Sequence, residues 1–105
     1  QLQVVNLTGG DISDVVIGHN GESLGPLGTL ANGAMAAPIS FQSESGVDDD
    51  WSVSFIASGT TYSCQNQECN YEEEDQGETL LIIFYPKNFS ILTPQSKPCL
   101  DIDYA

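Results

Sequence analysis

Carboxylates are the residues whose number and spacing could do chemistry in this chain. Glu68, Glu72, Glu73, Glu74, Asp75 and Glu78 crowd one short stretch, and Asp48, Asp49 and Asp50 stand in a row. Carboxylate oxygens are the natural ligands of hard cations, and Ca²⁺ takes about six to eight of them. Asp48, Asp49 and Asp50 are therefore the expected metal ligands, with a second loop adding oxygens. The D-x-D-x-D-G spacing of an EF-hand is absent. The cofactor expected is thus none, or Ca²⁺ at that loop.

In the longer block four consecutive acids cannot all face one ion, so its chemistry is that of a surface. It reads either as a solvated loop or as a docking site for a basic or cation-bridged partner. Tyr71, set between Asn70 and Glu72, is the aromatic expected to be exposed and to anchor a contact. Tyr71, Glu72, Glu73, Glu74 and Asp75 form the expected binding segment.

Covalent catalysis finds little to build on. His19 is the only histidine, beside the turn pair Asn20-Gly21, and any Ser-His-Asp device would need it. No G-x-S-x-G elbow occurs, and no two acids are marked as a glycosidase pair.

Three cysteines allow one bridge and one spare thiol. Four residues separate Cys64 from Cys69, the spacing of a disulfide at a hairpin tip, so Cys64–Cys69 is the expected bond and Cys99 the expected free thiol. A bridge from Cys64 or Cys69 to Cys99 is the alternative; it closes a longer loop and would stabilise more. A closed zinc site lacks ligands. A small lysine-poor domain starting at Gln1, with a bridge, reads as a processed, secreted protein. Two glycosylation motifs, at Asn6 and Asn88, agree with that compartment.

The charge sets the partners. Fifteen acids against two lysines give a formal charge of −13 on 105 residues. Such a surface repels nucleic acid and anionic lipid and attracts cations and basic proteins. The longest apolar run, residues 80–85, is too short to cross a bilayer.

The elements that must position these groups are strands. Trp51, Val53, Phe55 and Ala57 alternate with serines, the pattern of a half-buried strand. Residues 2–8, 12–19, 60–65, 91–92 and 100–104 read as further strands, and one more follows Pro38. Residues 80–85 are apolar on both faces, as in a central strand covered from two sides. Gly25, Pro26, Gly28 and Asn32-Gly33 mark residues 24–33 as a packed loop with at most a short strand.

Seven or eight short strands without helical periodicity predict an all-β fold, a small two-sheet antiparallel β-sandwich, as a single domain over 1–105. In size and acidity the chain resembles secreted β-sandwich lectins, cytolysins and effectors in a general way. The function expected is non-enzymatic binding of a protein or glycan surface through loops. A membrane-active component of similar fold is the alternative, and a small hydrolase using two acids the third reading.

Overall fold

The computed structural model of the chain describes residues 1–42, 46–70, 78–93 and 97–104. It contains eight strands: β1 (Leu2–Asn6), β2 (Ile12–His19), β3 (Glu22–Leu30), β4 (Asp50–Ala57), β5 (Thr60–Glu68), β6 (Leu80–Phe84), β7 (Asn88–Thr93) and β8 (Lys97–Asp103). They form two four-stranded sheets, ordered β1-β6-β7-β8 and β3-β2-β4-β5. The all-β sandwich expected from the strand pattern is what forms. One pairing departs from it, since β1 runs parallel to β6 and the remaining pairs are antiparallel.

Side chains on a strand point alternately to its two faces, and the alternation builds one core between the sheets. Leu2 and Val4, Leu80, Ile82 and Phe84, and Phe89 and Ile91 meet Ile17, Trp51, Val53 and Phe55 there. Trp51 is fully buried, while Tyr62 packs against the core edge. Tyr104 closes the same edge, its ring centroid 5.2 Å from Phe55 and 5.5 Å from Tyr62. Its hydroxyl donates to the Tyr85 carbonyl, and burial pushes the phenol well above its ordinary value.

Three expectations about elements need correction. Residues 22–30 form a full strand despite Gly25, Pro26 and Gly28. β3 is an edge strand paired only with β2, so a proline lacking its N–H loses no ladder bond on the open side. The register shifts in the β2–β3 pair absorb the irregular backbone.

The segment after Pro38 is no strand; residues 34–39 instead run along the outer edge of β1. The Ile39 and Leu2 main chains exchange hydrogen bonds there, and Asn6 N donates to the Ala34 carbonyl. An otherwise open edge is thereby covered.

Among the described residues β6 is fully covered on one side only. Leu80, Ile82 and Phe84 are buried, whereas Leu81 and Ile83 on the other face are half-buried. With Val5 and Leu92 they form a short apolar row on the outside of that sheet.

The disulfide links Cys69 to Cys99, with Cα atoms 5.9 Å apart, and leaves Cys64 free and buried. The expected Cys64–Cys69 bond does not form. Cys64 sits opposite Val53 on β4 and points into the core, so it is committed to packing. Cys69 lies just beyond β5, where it can reach β8 of the other sheet. The bridge therefore staples the two sheets together.

Candidate functional site

The acidic tip is built where β2 ends, β4 begins and β5 ends. His19, Trp51 and Gln67 share one rung across these strands. His19 and Trp51 face inward and Asp50 outward. Asn20 adopts φ 49° in the turn after β2, a conformation that asparagine tolerates better than most residues. There its side-chain oxygen accepts from Asp50 N at 2.8 Å, which fixes the β2 turn against the start of β4.

Asp48, Asp49 and Asp50 do not converge. Asp49 is 1% exposed, and its Oδ1 lies 2.7 Å from His19 Nε2. Its neighbours Asp48 and Asp50 are exposed. Successive residues at a strand entrance point to opposite sides, so the middle carboxylate of the row is taken by the core. Among the described residues no group of three or more His, Cys, Asp or Glu side chains is arranged to hold a metal ion.

His19, read from sequence as a turn residue, is a core residue. Its ring packs against Trp51 at 4.6 Å and Phe41 at 5.1 Å between centroids. Hydrogen bonds tie the surrounding chain together. Trp51 Nε1 donates to the Cys69 carbonyl, Cys69 N to the Asp49 carbonyl, and Asp49 N to Asn70 Oδ1. No buried side-chain polar atom lacks a partner among the described residues. The only signal for this pairing in the sequence was a lone histidine beside a turn, together with an acid at the middle of an acidic row.

Outside this core a groove of ≈ 690 Å³ runs over the outer face of β2 and β4. Its floor holds Val16, Gly18, Ser52 and Ser54, the outward residues of two paired strands. A Cβ at Gly18 would meet the Ser52 side chain at 3.4 Å, so glycine keeps the floor open. Val47, Asn66 and the carboxylates of Glu22, Asp48 and Asp50 form the walls.

Val16 and Val47 are 40% and 48% exposed, two of four large apolar side chains exposed among the described residues. Lys87 does not line the groove. Lys87 follows β6 and Lys97 begins β8, both on the other sheet.

Glu68 extends the acidic rim. It stands opposite Asp50 on the β4–β5 ladder. The charge of Asp48 and a hydrogen bond with its side chain, helped by partial desolvation and the charge of Asp50, hold the Glu68 carboxyl above its ordinary value of 4.5. A carboxyl that binds its proton more tightly when folded stabilises the fold below its unfolded value. That contribution is lost as pH rises through the raised folded value.

Wild type should therefore lose stability relative to Glu68→Gln as pH rises from about 4.5 toward neutrality, and added NaCl should shrink the difference. Parallel melting curves for the two proteins across that range would show that the three acids do not interact.

Tyr71, Glu72, Glu73, Glu74 and Asp75, the binding segment expected from sequence, lie outside the described residues. The groove had no sequence signature of its own. Its floor is two short runs, one on each of two strands, brought together by pairing. No known family model matches the chain, and no curated protein does.

Proposed function

We propose that this chain is a secreted, non-enzymatic binding protein whose outer sheet face receives a basic stretch of a partner protein. The observation that carries the reading is the composition of the groove, with exposed Val16 and Val47 inside a rim of Glu22, Asp48 and Asp50. Lysine and arginine have apolar stems and charged heads. Their stems suit the valines and their heads the carboxylates. A glycan could use the serines and Asn66, but among the described residues the groove offers no aromatic face on which a sugar would stack.

Secretion is supported by the disulfide, which persists in oxidising compartments. No helix of the described residues is long and apolar enough to cross a membrane. The membrane-active alternative needs an exposed apolar face. The row of Val5, Leu81, Ile83 and Leu92 is only half-buried rather than exposed, and it shares its sheet face with Asp101, so the groove is the better-supported surface.

The test is a titration of isotope-labelled protein with a lysine-rich decapeptide at physiological ionic strength, followed by amide shifts. Shifts should concentrate at Gly18, Gly21, Ser52, Ser54 and Asn66. Asp50→Asn should weaken binding by about 1 kcal/mol, roughly fivefold, and steepen no salt dependence. Replacing Glu72, Glu73, Glu74 and Asp75 with serine should leave the groove shifts in place. Shifts that vanish in that serine variant and survive in Asp50→Asn would move the site to the 71–75 segment.

A further inference from the structure

We propose that Asn88 is an N-glycan acceptor and that Asn6, which carries the same motif, is not. The sequence offers Asn6-Leu7-Thr8 and Asn88-Phe89-Ser90 as equivalents. Their surroundings in the fold are opposite.

Asn6 is fully buried, and its carboxamide is used at both ends. Nδ2 donates to the Gly10 carbonyl at 2.8 Å and the Leu30 carbonyl at 2.9 Å. Oδ1 accepts from Thr8 N and from the Thr8 hydroxyl. A sugar on Nδ2 would displace one of these hydrogen bonds and need space that the core does not have. A chain modified there could not close β1 against residues 30–34.

Asn88 opens β7 after the turn at Pro86 and Lys87. It is half-buried and alternates with the inward Phe89 and Ile91, so its side chain stands on the outside of the sheet. Nδ2 donates to the Asp101 carboxylate, also on the outer face. Linking a sugar consumes one N–H and leaves one for that acceptor.

In the transfer, Nδ2 bonds to the anomeric carbon of an oligosaccharide donated from a lipid-linked diphosphate. The lipid diphosphate leaves, and the nitrogen gives up one proton.

Adjoining rungs of the same face carry Val5 and Ile83 beside Ser90, and Leu81 beside Leu92, so a glycan rooted at Asn88 would stand beside this half-buried row. The groove lies on the other sheet and stays open. This inference shares with the binding reading only the secretory compartment, and its test uses no partner.

The full chain is secreted from mammalian cells behind a cleavable leader. It is then treated with peptide N-glycosidase in water enriched in heavy oxygen, and its peptides are weighed. The enzyme converts a glycan-bearing asparagine into heavy-labelled aspartate, so both sites are read without mutation. The expected result is label at Asn88 in the folded protein and none at Asn6. Asn88→Gln and Ser90→Ala should each remove the glycan, and Ser90→Ala does so while keeping the Asn88–Asp101 hydrogen bond. A folded, secreted chain with no label at Asn88, or with label at Asn6, overturns the assignment.

Discussion

Asp49→Ala should destabilise the protein by about 2–3 kcal/mol, the usual cost of leaving a buried polar group without its hydrogen-bond partner. For a domain whose total stability is of the order of 5–15 kcal/mol, that is enough to leave a large unfolded fraction on mild heating. The reason is local. His19 Nε2 and Asp49 Oδ1 are 2.7 Å apart, and both residues are at most 5% exposed.

His19→Ala should cost a similar amount and also leave a hole against Trp51 and Phe41. Replacing both residues at once, with His19→Phe and Asp49→Leu, should recover most of the loss, because an apolar pair needs no hydrogen bond. Urea unfolding followed by Trp51 fluorescence measures all three, Trp51 being the only tryptophan and in ring contact with His19. A loss below about 1 kcal/mol for Asp49→Ala would show that the pair is solvated and merely adjacent.

Breaking the Cys69–Cys99 bridge should cost about 3–4 kcal/mol in the chain-entropy model for a loop of this size; the two cysteines are separated by 30 residues. The closed loop contains β6 and β7, so its release frees a sheet end as well as a turn. Cys99→Ser and Cys69→Ser should differ little from mild reduction.

The bridge and the buried pair should also couple. Cys69 N donates to the Asp49 carbonyl, and its own carbonyl holds Trp51 Nε1. Cys99→Ser combined with Asp49→Ala should thus lose less than the sum of the two. Thiol titration gives an independent check. The native protein should show no fast-reacting thiol, and the denatured, unreduced protein should show one, at Cys64. A labelled Cys99 in that denatured sample would place the bridge elsewhere.

Strand content was legible because one-sided burial imposes a period of two, and residues 51–57 carry it almost without interruption. The same rule misjudged residues 80–85. An apolar residue at every position marks a strand, but it does not say whether a third layer will cover the second face. Gly25, Pro26 and Gly28 argued against β3 through local preference alone. An edge position removes most of the cost of such residues, and a single strand does not reveal whether it will lie at an edge.

The site divides in the same way. The net negative charge and the scarcity of basic side chains follow from composition, since they hold whatever the fold.

By itself the sequence determined the sandwich class, the charge and the supply of one disulfide with one spare thiol. Only the tertiary structure decided which cysteine was spare, which of three aspartates turned inward, which of two glycosylation motifs of the same pattern was sealed, and that two serine-bearing strands would floor a groove. Each of these depends on what stands across the sheet or across the core. Those neighbours lie tens of residues away, as with His19 and Asp49, 30 positions apart, and no local period or spacing encodes them.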